Sequence, residues 1–578
     1  MKKMRAAGVV VLSLALAACG QQGPSSSISS GDVQAQGVQQ NQGRYLVGFK
    51  RGVGVDRAAI SRVGGQITQE WRELDAAAVR LPAAALNGLR NNPNVEYVED
   101  DVIRYALGKR SVVSDGKPSA SAPSATPSAT ATVGPWTASG EFTWGDNALN
   151  VQTLRSSGYT GFNATTSVAV CVGDTGIDGT HKEFAGKLKG YQNFMGDGRN
   201  DPNQLNDVSH HGTHVSGTIF AQYNVGSAGL QSGMDANGVG GVASGVNLYM
   251  ARVLGDDGSG SSSGIINGVN WCVSKLKSQG GPEGHVVISL SLGSSRGSKT
   301  EQRAYDSAYS KGALIIAASG NDGGPIGYPA NYTSVVAVGA IDDHANLASF
   351  SNFGADQELV GPGVAVLSSV PTGTGLAASA SATGVTAYTS VLAAEFAAKG
   401  TVANTAIVAT NSANNELCGV GTTDANLGGK IALIARGTCS FEEKVNNAVS
   451  SGAKAVIIYN NAAGDLGMTL NVQKTVPVVG ITQQDGQNTL AAINASATKS
   501  TPGTVSITSA DYEYFDGTSM ATPHVSAAAA LVWATKPTYS NAQIRSLLQS
   551  TATDLGTTGK DNNFGYGLVN PLKAINTN

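Results

Sequence analysis

Three short segments bring together residue types that could break an acyl bond. VGDTGID places Asp174 directly after the apolar run Val168 to Val172. HGTHVSGT places His211 at the start of a helix in which small Gly212 and Gly217 permit close packing. GTSMATPHVSAAAALVWA places Ser519 in the first turn of a long apolar helix, with Pro523 early, where a missing N–H costs little. A serine hydroxyl is a poor nucleophile until an imidazole takes its proton. A buried carboxylate then fixes the imidazole tautomer and stabilises its cation. A helix N-terminus adds N–H groups where an oxyanion would develop. Each residue alone has a plain structural reading: the serine as a helix cap, the histidine as packing beside glycines, the aspartate as a turn cap. Their joint occurrence, in the order Asp, His, Ser, points to nucleophilic catalysis.

The elements that must position them can be read from the apolar pattern. Val168 to Val172, Leu248 to Val253, Val286 to Leu290, Leu314 to Ala318 and Val335 to Val338 are continuous apolar runs alternating with helical segments. Continuous rather than alternating hydrophobicity implies strands covered on both faces, hence a parallel sheet in an α/β domain over 141–375 and 509–578. Asp174 then falls at a strand's carboxyl end, where open α/β sheets build their sites. Residues 376–508 interrupt this rhythm with an Ala/Thr/Asn-rich block of its own strands, such as Ile431 to Ile434 and Ala455 to Tyr459, and are read as an inserted domain.

Upstream, 44–107 has globular texture. Tyr45, Val47 and Phe49 alternate like a half-buried strand, Ala58 to Val63 and Ala84 to Leu89 read as helices, and Ala78 to Leu81 and Val95 to Val102 as strands. This order predicts a small ferredoxin-like α+β unit. Residues 108–140, dominated by Ser, Ala, Pro and Thr, form a linker too poor in apolar surface to order itself, and 20–43 a Gln/Ser/Gly-rich spacer.

The chain has 578 residues, 38 Lys and Arg against 41 Asp and Glu, and 14% charged residues. Without a basic run, nucleic acid is excluded as a partner class. Residues 1–19 have the anatomy of an export signal: Lys2, Lys3 and Arg5, then the apolar run Val9 to Leu16. The ending Leu16-Ala17-Ala18-Cys19 resembles a bacterial lipobox, which would place a lipid on Cys19. Cleavage at Ala15-Leu16-Ala17 is the alternative. Cys418 and Cys439 are close enough in sequence to bond in an oxidising compartment. Cys171, in an apolar strand, and Cys272, on an apolar helical stretch, are expected to be buried small hydrophobes.

Together these segments resemble the subtilase family, over most of 141–375 and 509–578, with GTSMATPHVS the most specific part. The resemblance implies Asp174 as the carboxylate, His211 as general base and acid, and Ser519 as nucleophile. Asn321, in AASGNDG, becomes the oxyanion donor beside the Ser519 N–H. The HGTH register selects His211 over its neighbours His210 and His214, and Gly173 departs from the bulky residue usual before the aspartate. Gly258-Ser259-Gly260 and Ser291-Leu292-Gly293 would pair with an extended substrate. Gly327 would leave a deep pocket for a large apolar or aromatic residue, with Asp322 at its rim also admitting a basic one. Residues 44–107 resemble a subtilase propeptide, a folding helper and intramolecular inhibitor whose Val102 to Leu107 would lie in the active site. Its cleavage would follow Tyr105 or fall in the linker, with a mature start near Trp144-Gly145. Residues 376–508 resemble a protease-associated domain, through ARGTCSFEEKVNNAVSSGAKAVIIYNN and VPVVGIT. No cofactor is required by the chemistry. Structural calcium is common in the family, and Asp197, Asp201, Asp207 and Asn237 are candidate ligands. The implied protein is a secreted, monomeric endopeptidase of broad specificity acting on proteins and peptides, its precursor membrane-anchored if Cys19 is lipidated. A narrow-specificity processing protease, or a surface adhesion protein on a protease scaffold, stays open as an alternative.

Overall fold

The valine- and isoleucine-rich runs form the centre of a seven-stranded parallel sheet. Its order is Leu359–Pro362, Val335–Ile341, Leu314–Ala318, His285–Leu290, Val168–Asp174, Asn247–Arg252 and Leu188–Asn193. The computed structural model describes residues 43–110 and 133–577, apart from Leu205, Ser232 and Ala463. The expected export signal, Cys19 and most of the expected linker lie outside the described residues. Every residue of Val168–Asp174 is buried, because side chains of both parities meet a helical layer. Val168, Val170 and Val172 pack with the helices His211–Phe220 and Thr518–Thr535. Ala169 and Cys171 face the opposite way, toward Ser262–Val273 and Lys299–Ser310.

The helix Thr518–Thr535 is buried on all sides, which explains its apolar sequence without periodicity. The histidine helix lies close to the rest of the fold through Gly212. A Cβ there would fall 2.1 Å from the Gly176 carbonyl oxygen. Cys171 and Cys272 correct the expectation of two inert thiols. They form a disulfide with Cα atoms 5.7 Å apart, tying the central strand to the helix behind it. Side by side in space but 101 residues apart in sequence, they could not be paired by spacing. Cys418 and Cys439 are also bonded.

The N-terminal unit is a four-stranded antiparallel sheet of order Gln66–Trp71, Ala76–Arg80, Arg44–Phe49, Val95–Asp100, with helices Arg57–Arg62 and Leu86–Arg90 on one face. This is the ferredoxin-like arrangement; the strand Gln66–Trp71 was absent from the sequence reading. The other face carries Leu46, Trp71, Leu74, Ala76 and Ala78 onto Ile266 and Ala304 of the helices Ser262–Val273 and Lys299–Ser310. Two carboxylates finish the contact. Glu99 accepts from the N–H groups of Lys299 and Thr300 at 2.9 Å each, and Asp101 from that of Ser263 at 2.9 Å. Each caps a helix whose first N–H groups have no partner within the helix.

Residues 375–510 carry a second seven-stranded mixed sheet, with helices Phe441–Ser450 and Gln483–Ala495 and their own apolar core. Its long strands Gly375–Ala382 and Thr501–Ala510 pair antiparallel, next to the ribbon of Val366–Ser369 with Tyr512–Asp516 that leads to the serine helix.

Candidate active site

The strand Ile103–Ala106 leaves the N-terminal unit and runs antiparallel between Ser259–Ser261 and Leu292–Gly293. Ala106 N donates to the Gly258 carbonyl at 2.8 Å and Leu107 N to the Ser291 carbonyl at 3.2 Å. The two segments expected to pair with a substrate therefore bracket the chain's own residues. Main-chain pairing on both sides fixes the strand's register whatever its side chains.

The register delivers the Leu107 carbonyl oxygen to two donors, Asn321 Nδ2 and the Ser519 backbone N–H, the latter at 3.3 Å. Asn321 is oriented from behind: its Oδ1 accepts from Thr518 N at 2.9 Å and Thr518 Oγ1 at 2.8 Å. The carbonyl passes so near Gly517 that a Cβ there would lie 2.3 Å from it. The sequence reading missed Thr518, although its place beside Ser519 was a signal.

Asp174 and His211 are both buried, and Asp174 Oδ1 lies 2.7 Å from His211 Nδ1. The same carboxylate oxygen accepts from the Thr175 N–H at 2.7 Å. Among the described residues His211 Nε2 has no hydrogen-bond partner, and it faces Gly108, where a Cβ would come within 2.9 Å of it. Ser519 Oγ donates to the Ser291 carbonyl at 2.8 Å, and Ser291 Oγ returns a bond to the Ser519 carbonyl at 2.8 Å. The serine hydroxyl is thus held beside the Leu107–Gly108 bond but turned from the imidazole.

The neighbouring histidines occupy different surroundings. His210 precedes the helix with φ 67°, its Nδ1 3.5 Å from Glu513 Oε2. His214 is buried, its Nε2 3.0 Å from the Val366 carbonyl and 3.1 Å from that of Glu513. Burial, with a smaller contribution from His211, pushes its pKa down to about 3, so it stays neutral. Gly327 donates its N–H to the Ser319 carbonyl at 2.8 Å, and a Cβ on Gly293 would lie 3.0 Å from Leu107 Cδ1.

The four candidate cation ligands each bond within the protein. Asp207 accepts from the Thr175 and Thr213 hydroxyls and the Thr213 N–H. Asp197 pairs with Arg252 at 2.6 Å, Asp201 caps its own turn through Asn203 N, and Asn237 N donates to Asp235. Among the described residues, the group of three carboxylate or imidazole ligands close enough to share an ion is Asp342, Asp343 and His344, none of them among the expected ligands.

Residues 165–413 and 485–567 match the model of the subtilase family, 394–489 that of the PA domain, and 29–100 that of the fervidolysin N-terminal prodomain. Subtilisin J of Geobacillus stearothermophilus is 33% identical over 358 residues, which cover 60% of this chain and 78% of that protein. Subtilisin E of Bacillus subtilis (strain 168) gives the same figures. Among solved structures, a psychrophilic subtilisin-like protease from the Antarctic psychrotroph Pseudoalteromonas sp. AS-11 is 30% identical at a TM-score of 0.54, covering 76% of this chain and 98% of that one. Fervidolysin from Fervidobacterium pennivorans shares the fold at 20% identity and a TM-score of 0.54, covering 93% of this chain and 61% of its own. The family model spans more than half of the sequence, and the chain belongs to the subtilases, as a subtilisin-like serine protease with a prodomain and a PA domain.

Proposed function

We propose that this protein is a secreted endopeptidase that activates itself by cutting Leu107–Gly108 and then hydrolyses other proteins through an acyl-enzyme. The observation that carries this reading is the Leu107 carbonyl on Asn321 Nδ2 and Ser519 N, with His211 Nε2 beside Gly108. Ser519 Oγ leaves the Ser291 carbonyl, turns to His211 Nε2, gives up its proton and attacks the Leu107 carbonyl carbon. The oxyanion forms where both donors already point, and each such donor is worth about 10²–10³ in rate. His211 passes the proton to the Gly108 nitrogen as the peptide bond breaks, while Asp174 stabilises the imidazolium. Water then repeats the sequence against the acyl-enzyme. Nucleophile, base and oxyanion donors all come from the chain, so these steps need no cofactor.

Leu107 supports a preference for large apolar residues before the cleaved bond. The prodomain, held by Glu99 and Asp101 after cleavage, is the intramolecular inhibitor. Any lipid on Cys19 lies upstream of the cut, so processing frees the catalytic domain. The insert supplies a wall beyond the bond: a cavity of about 690 Å³ next to Gly108 is lined by His210 and by Leu376, Phe396 and Gln473 from the insert. A role in admitting or rejecting folded substrates fits that position.

Fluorophosphonate labelling that disappears in Ser519→Ala, together with a processed product beginning at Gly108, is the expected result. An active wild-type enzyme in which Leu107–Gly108 stays intact would overturn the self-processing step.

A further inference from the structure

Arg104 is the fourth residue on the acyl side of the Leu107–Gly108 bond, and its side chain is wholly buried in the catalytic domain. Its guanidinium forks onto both oxygens of Glu301, with Nε 3.1 Å from Oε1. Nη1 donates to Ser294 Oγ and to the Arg296 carbonyl, the latter at 2.5 Å. Glu301 is itself fixed. It sits in the first turn of the helix Lys299–Ser310, accepts from Ser262 Oγ at 2.6 Å and from the Tyr332 hydroxyl at 3.1 Å, and is 0% exposed.

The two partners have different fates. Arg104 belongs to the prodomain and leaves with it. Glu301, Ser262, Ser294, Arg296 and Tyr332 all stay in the mature enzyme. When Arg104 leaves, Glu301 keeps its bonds to Ser262 and Tyr332, and its remaining acceptors match a planar guanidinium. We infer that this pocket is a specificity site: the mature protease selects substrates with arginine at the fourth position before the cleaved bond, and Glu301 determines the choice. Lysine offers a point charge without the fork, so it fills the pocket less well. The inference rests on the proposed cleavage chemistry and narrows the substrates that chemistry meets.

The test uses the self-processed enzyme and tetrapeptide amides that end in Tyr-Ala-Leu before a fluorogenic leaving group. The first residue is varied among Arg, citrulline, Lys, Leu and Glu. Citrulline keeps the shape of arginine without its charge. kcat/KM for Arg should exceed that for citrulline and Leu by about 100-fold, and that for Lys by about tenfold. In Glu301→Gln the Arg-to-citrulline ratio should fall to within about threefold. Cleavage of all five peptides at similar rates by wild-type enzyme would overturn the inference, reducing Arg104–Glu301 to a latch for the prodomain while leaving the proposed protease intact. That wild-type comparison decides even if Glu301→Gln fails to fold. Cleavage of none, with no fluorophosphonate labelling, would defeat the protease reading and this inference with it.

Discussion

The prodomain and the inserted domain border the same cleft but are attached to the catalytic domain by opposite means. The prodomain is held by side chains and one strand. Glu99 and Asp101 cap two helices, Arg303 reaches back to the Phe49 and Leu74 carbonyls at 3.1 Å each, and Trp71 Nε1 donates to Asn267 Oδ1 at 2.7 Å. Once the strand is cut, each of these bonds can be exchanged for water. The insert is held by main chain entering and leaving through paired strands, in register from Gly375 opposite Ala510 to Ala382 opposite Gly503. A clamp made of side chains can be released, whereas a covalent ribbon stays as part of the cleft. The difference suits an inhibitor that departs and a wall that remains.

The largest effect that could break this comparison is on the cut itself. Ser519→Ala should lower turnover by about 10⁴-fold or more and leave the precursor uncleaved by mass spectrometry, so that both modules stay attached. His210→Ala should still process; if it failed while His211→Ala succeeded, the base would be misassigned. Next come the cross-links. Removing Cys171–Cys272, which spans 101 residues, should cost the catalytic domain about 4–5 kcal/mol. Removing Cys418–Cys439, which spans 21, should cost about 3 kcal/mol and destabilise the insert alone. Calorimetry resolving two transitions would separate them.

Acid should also divide the regions. The seven histidines all lie outside 43–110 and 376–508. Burial lowers His214 to about 3 and His524 to about 4. The unfolded chain therefore takes up these protons first. Their stability is present above about pH 6.5 and is lost as pH falls toward the folded values, by up to about 1.4 kcal/mol per pH unit for each. Burial also raises Asp146 and Glu183 to about 7, which acts in the opposite sense, so the histidine contribution is read by difference. By denaturant titration, catalytic-domain stability should fall less between pH 7 and 4 in His524→Gln than in the wild type. Removing one clamp carboxylate, as in Glu99→Gln, should weaken the cleaved prodomain's hold by about 1–2 kcal/mol, seen as a shorter lag before full activity. The smallest shift is expected from deleting 376–508: cleavage of short peptides should change less than that of folded proteins, and equal changes would argue against a selective wall.

The five central strands of the parallel sheet were legible because each is apolar on both faces, a local property of each run. The edge strands Leu188–Asn193, half-exposed and largely polar, and Leu359–Pro362, only four residues long, were not read. Nor was the strand Gln66–Trp71, because polar Gln69 and Glu70, at a register shift after Ile67, break the apolar alternation that marked Arg44–Phe49. Asp174 and His211 were found by motif, and their 2.7 Å contact is where the motifs led. Arg104 carried no such mark, being one charged residue in an ordinary strand. Its partner Glu301 follows 197 residues later.

The sequence by itself determined the residue types, their order and the two-faced sheet, since periodicity and motif spacing are encoded locally. Only the tertiary structure decided that Cys171 pairs with Cys272, which carbonyl rests on Asn321, and which side chain fills the pocket at Glu301. Those are contacts between segments far apart along the chain, and sequence spacing carries no information about which of them meet.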